Sequence, residues 1–479
     1  MTSVTVALTR ADQARDPYFY VPFVVAEGTT RIDVHIAYRK AADCIIDLGV
    51  LDPRATDYPS RDGFRGWSGG ARDCFFVALD DATPGYIHGP MPAGEWKVVL
   101  GLYKVPETGA RVTLEIETDS APRTVSPQPL RTSPKHEGAG WYRGDLHSHT
   151  WHSDAAGSPE VLHQAARQAG LDFLAVCDHN TISQRRYFYP HSSPELVFVR
   201  GMEVTTTTGH ANVFGVDEWI DFRMTRPTDA NILAQMVHER GGLLSVNHDK
   251  PTIPWEYELP PVDCMEGWQA NWFAWNWVSL ARYQQRLAMG LRPTLIGGSD
   301  YHQPAELQRE GPFVVGRPTT VFDLHELSED AILAAMRGGR GYVTESPSGP
   351  HLAITLDDQP MGGVVAASSR HEAVAQVTNA RGDRLVWIDA TGIVGEQVIE
   401  DDSWSGYFHA QDIAVFLRVE IVAETSRERI IAEFKTLAPG GQLPWGLSDA
   451  IMRAQPVRRA LSNPVYVVSH TLPKAAVVV

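Results

Sequence analysis

Cysteine is scarce in this chain, which has four cysteines among 479 residues. Cys44, Cys74, Cys177 and Cys264 are widely scattered and include no Cys-x-x-Cys pair. That pattern disfavours both a disulfide framework and a cysteine-ligated zinc site, because each needs suitably spaced thiols. Reduced, structural thiols are expected instead, as in a cytoplasmic protein.

Long apolar runs are also missing. No stretch approaches the roughly 18 consecutive apolar residues of a membrane-spanning helix. The beginning of the chain contains Arg10, Asp12, Arg15 and Asp16 where a signal peptide would have its apolar centre. The sequence therefore predicts a cytoplasmic protein that does not associate with membranes.

Basic residues are outnumbered by acidic ones. The chain has 42 lysines and arginines against 58 aspartates and glutamates, which gives a formal net charge of −16. Such a charge repels a phosphate backbone over long distances, so nucleic acid is not expected as a partner. A local metal site can still bind a small anion on an acidic protein, and a small-molecule substrate is therefore expected.

The chain is long enough for two or three domains, because a single domain usually has about 100–200 residues. Residues 1–119 contain short runs in which apolar and polar side chains alternate, for example 30–36 and 110–117. This period of two, interrupted by Gly, Pro and Asp, predicts an N-terminal β-sandwich domain. The proline-rich residues 120–140 are predicted to be a linker.

The pattern changes between residues 141 and 346, where short apolar runs alternate with helix-like stretches. This alternation predicts βα units and a mainly parallel sheet, with one helix capped by Ser158 and Pro159 in its first turn. The predicted strands are 143–147, 172–178, 196–203, 211–216, 242–248, 262–268 and 294–300. Seven strands indicate a barrel one unit short of the eightfold kind. Residues 347–479 return to strand-like alternation and predict a C-terminal β-rich domain that resembles a sandwich.

Histidines and carboxylates follow these predicted strands. In Asp145-Leu-His147-Ser-His149 the histidines are two residues apart, so an extended backbone directs both to one face. Other groups stand at or after later strands: Ser153-Asp154, Asp178-His179, Glu203, His210, Asn247-His248 and Asp300-Tyr-His302. A lone pair of histidines arises readily by chance, but the carboxyl ends of barrel strands meet at one rim. The repeated pattern therefore predicts a site for two or three divalent ions, with zinc, manganese and iron all suited to histidine and carboxylate ligands.

The same residues, in this order, resemble the PHP (polymerase and histidinol phosphatase) superfamily over residues 141–346. Gly297-Gly-Ser-Asp-Tyr-His, the aromatic residues after Glu266 and the flanking β-rich regions are similar to its CehA/McbA-type branch, which is named for carbamate-ester hydrolysis. Arg418-Val-Glu420 and Ser462-Asn463-Pro464 are also similar to the closing segment of that branch. The resemblance implies a distorted (β/α)7 barrel with a trinuclear metal site.

The resemblance also implies a set of ligands for each metal ion. The first ion would be held by His147, His149, Glu203 and Asp300; the second by Glu203 as a bridge with His210 and His248; the third by Asp154, His179 and His302. Asp145 and Asp178 would orient histidine ligands from behind. The chain departs from the family at Asn247-His248-Asp249-Lys250-Pro251, where two charged residues separate the histidine from the proline that commonly follows it.

The expected nucleophile is a metal-bound hydroxide, so neither Ser148 nor Ser299 is needed in that role. Lys250 and Tyr301 stand next to predicted ligands and are candidates to stabilise an oxyanion or to protonate a leaving oxygen. An ion pair for the lysine, or a packing role for the tyrosine, would explain them equally well.

Several tryptophans follow the sixth predicted strand. Trp268, Trp272 and Trp275 are spaced to share one face of a helix, a stripe that belongs more often to a core than to a binding surface. Trp272 and Trp275 are nevertheless candidates for the substrate pocket, where they would favour an aromatic leaving group.

The sequence thus predicts a metal-dependent hydrolase and favours a small-molecule phosphoester, either mono- or diester, as substrate, because several cations match a dianionic group. A carbamate or carboxylic aryl ester is the alternative that the branch resemblance and the tryptophans support. A metal-binding sensor or scaffold without catalytic activity is a second alternative, which the two β-rich domains would permit. The sequence gives no indication of the oligomeric state.

Overall fold

The computed structural model of the protein describes residues 1–302, 313–436 and 443–468. The N-terminal region contains β1 (Thr2–Leu8), α1 (Arg10–Arg15), β2 (Tyr18–Val25), β3 (Arg31–Ala37), β4 (Ile45–Leu51), β5 (Phe64–Trp67), β6 (Cys74–Ala78), β7 (Gly94–Lys104) and β8 (Ala110–Asp119). One antiparallel sheet has the order β1-β8-β3-β6, and the other has the order β2-β7-β4-β5. Apolar side chains of both sheets, including Val34 and Trp96, share one core. Alternating side chains thus build a sandwich, because one face of each sheet can be buried against the other.

The connection from the sandwich to the central region is shorter than the predicted linker 120–140. Residues 120–134 have no helix or strand, and β9 (Lys135–Asp145) begins after them. The first part of β9 pairs antiparallel with β16 (Thr319–Ser328), with Lys135 opposite Ser328. The irregular connection therefore ends at residue 134.

The central region contains a strand at each of the seven predicted positions. After β9 these strands are β10 (Phe173–Val176), β11 (Val197–Thr206), β12 (Gly209–Phe214), β13 (Leu243–Val246), β14 (Cys264–Gln269) and β15 (Thr294–Gly298). They lie side by side in sequence order. Neighbours are parallel except for β12, which runs antiparallel to both β11 and β13.

The predicted (β/α)7 pattern is wrong in detail, because helices do not follow every strand. The helices of this region are α2 (Pro159–Gln168), α3 (Arg185–His191), α4 (Asp229–His238) and α5 (Asn276–Ala288), and Ser158 caps α2 as expected. In this fully described stretch, no helix joins β11 to β12 or β13 to β14. The turn between β11 and β12 is too short for a crossover, so these strands must be antiparallel. No helix in the described ranges has both the length and the apolar character to cross a bilayer.

The seven strands do not close into a barrel through a continuous ladder. Among the described residues, backbone hydrogen bonds join the first and last strands just beyond their carboxyl ends, where the Asp300 N–H donates to the His147 carbonyl at 2.8 Å and the His149 N–H donates to the Tyr301 carbonyl at 2.9 Å. The open sheet is therefore drawn together at the rim that carries the predicted ligands.

The C-terminal region shares its main sheet with the central region. It contains β16, α6 (Glu329–Gly338), β17 (Gly341–Thr344), β18 (His351–Leu356), β19 (Gln359–Pro360), β20 (Val364–Ala366), β21 (Arg370–Thr378), β22 (Arg384–Asp389), β23 (Gly392–Val398), β24 (Ser403–Gln411), β25 (Phe416–Val422), α7 (Arg427–Thr436), α8 (Asp449–Ala454), β26 (Arg458–Ser462) and β27 (Val465–Val468). From β9 the sheet continues as β16-β17-β26-β25-β22-β23, and a second sheet, β19-β18-β21-β24, packs over this continuation. The predicted domain 347–479 is thus sandwich-like but hydrogen-bonded to the sheet of the central region; residues 437–442 and 469–479 lie outside the described part.

Aromatic side chains join the N-terminal sandwich to the central region. Phe64 stacks on Trp219 with ring centroids 4.4 Å apart, and Trp67 meets Phe222 edge-on at 4.7 Å. These residues belong to one buried apolar cluster with residues of β11, β12 and α4. The sandwich is therefore held firmly beside the rim of the central strands.

Asn463 connects the C-terminal region to β15. Its buried amide accepts a hydrogen bond from the Leu295 N–H at 2.7 Å and donates to the carbonyls of Leu295 and Gly341, both at 3.0 Å. One side chain thus satisfies three backbone groups that water does not reach.

Replacing Asn463 with alanine should destabilise the protein, because these buried backbone groups would lose their partner. We expect the free energy of unfolding, measured by urea denaturation, to fall by about 3 kcal/mol. The matched control is Asn231→Ala at an exposed position of α4, where the change should stay within about 0.5 kcal/mol. Equal stability of the two variants would contradict a bridging role for Asn463.

Candidate metal centre

The predicted ligands lie at one rim of the central sheet. Eight of them lie within or just after a strand of this sheet: His147 and His149 after β9, His179 after β10, Glu203 in β11, His210 in β12, His248 after β13, and Asp300 and His302 after β15. Because β12 runs against its neighbours, its first residues rather than its last reach this rim. Reversal of that strand therefore brings His210 to the other ligands.

The backbone turns sharply where the ligands stand. Asn180, His248 and Asp300 follow β10, β13 and β15 and have positive φ angles of 59°, 27° and 52°. Such left-handed conformations cost about 1–3 kcal/mol in residues other than glycine and are concentrated at functional sites. The fold accepts this cost at three of the strand ends that form the rim.

Glu203 is the central carboxylate of the cluster and is fully buried. Its Oε1 lies 3.3 Å from Nε2 of both His147 and His248 and 3.4 Å from Nδ1 of His210. Its Oε2 lies 2.7 Å from Nδ1 of His179. One carboxylate thus faces imidazoles from four different segments, as a bridging ligand would.

Asp300 and Asp154 contact the remaining histidines. Asp300 Oδ1 lies 2.9 Å from Nε2 of His149 and 3.3 Å from Nε2 of His147. Asp154 Oδ1 lies 3.3 Å from Nε2 of both His179 and His302, although half of the Asp154 side chain is exposed. The structure therefore brings all nine predicted ligands together.

Four groups of three side chains each hold their ligand atoms within 4.8 Å of one another. The groups are His149, His179 and His302; His147, His248 and Asp300; His147, His149 and Glu203; and Glu203, His210 and His248. Each group shares residues with another, so the cluster is continuous. Buried His, Asp and Glu clusters of this kind are consistent with several metal ions.

The cluster contains buried polar atoms without hydrogen-bond partners. Nε2 of His147, Nε2 of His149 and Oδ1 of Asp300 converge, yet none of them makes a hydrogen bond in the described structure. Unpaired buried atoms are rare in folded proteins, because each loses its interaction with water. A divalent ion would satisfy these atoms together, and nitrogen and oxygen donors suit zinc, manganese or iron.

The ionisation of the cluster is consistent with a bound cation. Burial by itself would raise the pKa of Glu203 and Asp300, but the surrounding imidazoles hold both well below their usual range. Burial lowers the pKa of His149 to about 3, with His302 and His179 adding to the effect, so this ring is neutral as a metal ligand must be. Burial opposes protonation of His302 as well, but Asp300 and Asp154 outweigh it and raise its pKa to about 8. Metal binding should therefore displace protons.

Asp145 and Asp178 act on the backbone of the ligand loops. Asp145 Oδ1 accepts hydrogen bonds from the His147 N–H at 3.1 Å and the Ser299 N–H at 2.9 Å. Asp178 accepts from the Thr150 N–H at 2.8 Å and from the Thr150 hydroxyl at 2.7 Å. These carboxylates were predicted to orient histidines, and the contacts indicate that they do so through the chain rather than through the rings.

Glu266 holds ligands from behind and was not among the predicted site residues. Its Oε1 lies 2.8 Å from Nδ1 of His147, and its Oε2 accepts the N–H of His248 at 3.0 Å. Glu266 lies inside β14, in which every residue is buried. A carboxylate within an apolar strand is unusual, and that signal in the sequence could have identified Glu266.

Lys250 is buried, and two successive hydrogen bonds link it to Asp300 through one intervening side chain. Its ammonium group donates to Oε1 of Gln269, and the amide of Gln269 donates to Oδ2 of Asp300 at 2.7 Å. Burial lowers the pKa of Lys250 to about 8, although Glu266 and Asp300 oppose this shift. These contacts place Lys250 behind the ligands.

Three other polar residues next to ligands have contacts away from the cluster. The hydroxyl of Ser148 donates to the Ala175 carbonyl at 2.8 Å, and that of Ser299 donates to the His147 carbonyl at 3.3 Å, as their predicted non-nucleophilic role requires. The ring of Tyr301 packs in an apolar cluster with residues of α2, β10 and β11.

The predicted helical stripe of tryptophans is wrong. Trp268 lies in β14 and Trp272 in the following turn, and α5 begins only after Trp275. The indole N–H of Trp272 donates to the Pro456 carbonyl and that of Trp275 to the Trp445 carbonyl, both at 3.1 Å. Both side chains thus pack against the C-terminal region, as the core interpretation expects, and they do not line the cavity beside the ligands.

A cavity of about 650 Å³ opens beside the metal cluster. The central region contributes Asp154 and His179 to its wall, and the N-terminal sandwich contributes Asp47, Trp67 and Tyr103. The sandwich therefore forms one side of the space in which a substrate would meet the metals, a role that its sequence does not indicate.

No protein-family model matches the chain. A segment of 116 residues is 32% identical to the 5′-3′ exoribonuclease Rnm of Escherichia coli, which corresponds to 23% of this chain and 39% of that protein. Rnm of Salmonella typhimurium is 32% identical over 120 residues, which is 24% of this chain and 40% of that protein. The chain thus spans about two fifths of the length of these relatives.

Two solved structures are similar to parts of the chain at lower identity. A two-domain protein from Bacteroides vulgatus, described as containing a predicted PHP-like metal-dependent phosphoesterase, is 14% identical with a TM-score of 0.36; the match covers 62% of this chain and 94% of that one. An amidohydrolase from Chromobacterium violaceum is 16% identical with a TM-score of 0.23, covering 34% and 88%.

Replacing Glu266 with glutamine should weaken metal binding, because His147 and His248 would lose the carboxylate that orients them. We expect the affinity for zinc or manganese to fall by about 10–100-fold, measured by competition with a chromogenic chelator. Glu256→Gln, at an exposed position ten residues earlier, should bind metal like the wild type. An unchanged affinity in Glu266→Gln would remove this residue from the site.

Proposed function

We propose that the protein is a metal-dependent hydrolase that cleaves a phosphoester of a small molecule. The charge of the ligand cluster carries this proposal. Glu203, Asp300 and Asp154 contribute three negative charges, whereas three divalent ions would contribute six positive ones. The loaded centre would be cationic and would attract a dianionic phosphoryl group more strongly than a neutral ester.

The residues of the chain have separate tasks in this reaction. Glu203 would bridge, the six imidazoles would complete the metal ligands, and Asp300 would be held by Gln269 and Lys250. Bound divalent ions would supply Lewis acidity and lower the pKa of coordinated water. Asp145 and Glu266 keep the loops rigid, so that the ligands need not reorganise when substrate enters.

The cavity supports a small substrate rather than a long nucleic acid. Among the described residues that line it, Lys40 is the one lysine or arginine, whereas nucleic acid sites need several cations along the phosphate backbone. The net charge of −16 points the same way. The relatives named as 5′-3′ exoribonucleases nevertheless make an RNA 5′ end the natural competing substrate to test.

A carbamate or carboxylic aryl ester is the second candidate, and the cavity wall favours it in one respect. Tyr18, Trp67 and Tyr103 give the wall an aromatic character that would suit an aryl leaving group. Trp272 and Trp275, which were predicted to favour an aromatic leaving group, do not line this cavity. The support for an aryl ester therefore comes from the aromatic residues of the sandwich.

The proposed function predicts the outcome of a substrate panel with metal-loaded protein. The panel contains small alkyl phosphates, nitrophenyl phosphate mono- and diesters, a naphthyl carbamate and a 5′-phosphorylated RNA oligonucleotide. Turnover of phosphoesters should exceed that of the carbamate and the RNA, and should disappear after chelation and in Glu203→Gln. Faster release of naphthol or of mononucleotides would favour the corresponding alternative, and no turnover at full metal content would favour a sensor or scaffold.

Lys250 and Tyr301 should differ in their effects on that activity. Lys250→Met would free Gln269 and disturb Asp300, so we expect both bound metal and kcat to fall, the latter by about tenfold. Tyr301→Phe should change kcat by less than about twofold, because its ring packs behind the strands. Metal content and steady-state kinetics of both variants would check this. A loss of kcat in Tyr301→Phe at full metal content would give the phenol a role in catalysis.

A further inference from the structure

Asp47 of the sandwich presents its carboxyl group to the cavity beside the metal cluster. The residue lies on β4, opposite Gly101 on β7. A Cβ added at Gly101 would come within 2.9 Å of Asp47 Oδ2 and 2.7 Å of Trp67 Cη2. Asp47 Oδ1 would lie only 3.5 Å from a Cβ added at Gly70. Glycine backbone thus makes room for a carboxyl group that the cavity can reach.

The carboxyl group of Asp47 has no hydrogen-bond donor in the described part of the chain. Lys40, which also lines the cavity, donates instead to the Gly70 carbonyl at 2.7 Å and to Asp73 at 3.2 Å. The indole Nε1 of Trp67 and Oδ1 of Asp47 each lie 3.8 Å from the point where Gly69 would carry a Cβ. An acceptor and an aromatic ring therefore stand side by side on the wall.

We propose that Asp47 and Trp67 form a recognition subsite for an ammonium or hydroxyl group on the part of the substrate remote from the phosphoryl group. This inference rests on the proposed function, since it assumes that the phosphoryl end is bound at the metals. The substrate class would then be phosphoesters of amino alcohols or polyols.

The chemistry of the wall favours a hydrogen-bond donor over other groups. An ionised carboxylate only accepts hydrogen bonds, so a second anionic group on the substrate would be repelled. An apolar group would bury the carboxylate without a partner, which is unfavourable. Burial and the nearby Asp154 raise the pKa of Asp47 to about 7, which shows how poorly water and protein stabilise its charge there. A cationic group would restore that stabilisation.

The test uses phosphonates, which bind like phosphates but are not hydrolysed. Isothermal titration calorimetry on metal-loaded protein compares two series of compounds. The shorter series contains aminobutyl-, hydroxybutyl- and pentylphosphonate, and the longer series contains aminohexyl-, hydroxyhexyl- and heptylphosphonate. For one of the two lengths, the amino or hydroxyl compound should bind about tenfold more tightly than its alkyl counterpart, as a hydrogen bond to a charged group predicts. Comparison of the amino compounds with the hydroxyl compounds shows which of the two donors the subsite prefers.

The variants separate the subsite from the metal centre. In Asp47→Asn and Asp47→Ser the preference for the amino or hydroxyl compound should disappear, while pentylphosphonate binds as before. The control is Asp43→Asn, which changes an exposed carboxylate on the same domain and should keep the preference. Equal binding of all phosphonates by the wild type, or a preference that persists in both Asp47 variants, would overturn the inference. Failure of every phosphonate to bind would instead overturn the phosphoryl premise, and the subsite with it.

Discussion

A single buried carboxylate imposes the strongest constraint on this fold. Glu203 is fully buried among imidazoles from four segments, and neither its charge nor theirs can be satisfied by water. The segments must therefore meet at one point, and their backbones must turn there. The backbone has positive φ angles at His248 and Asp300, where two of these segments turn, and the reversal of β12 brings His210 to the same point. Such a concentration of histidine and carboxylate ligands is consistent with bound divalent cations.

Local patterns in the sequence predict the strands and the ligands, because both depend on neighbours along the chain. Short apolar runs located all seven central strands, and ligand-type residues at their ends located the cluster. The direction of β12 was missed, although the four residues from Thr206 to Gly209 leave no room for a crossover. Glu266 was missed because a carboxylate within a strand was not weighed as unusual. Each of these errors concerns a local signal that was present.

Other features depend on contacts between distant parts of the chain and could not be predicted locally. The aromatic residues after β14 gave no sign that their partners would be the Pro456 and Trp445 carbonyls, 184 and 170 residues later. The continuation of the central sheet into the C-terminal strands likewise depends on pairing between segments that are far apart in the sequence. In the same way, alternation in residues 1–119 predicts a sandwich but not which of its faces meets the metal rim.

The three regions contribute differently to one site, and their contributions follow from how each is attached. The C-terminal strands extend the sheet and bind β15 through Asn463, so they support the ligand positions without approaching the ligands. The sandwich is attached through side-chain packing such as that of Phe64 on Trp219, which leaves backbone loops and β4 free to face the cavity. A wall built in this way can change its side chains without disturbing the metal ligands. If the protein has the proposed function, selection of the substrate and activation of water could therefore be altered independently in this architecture.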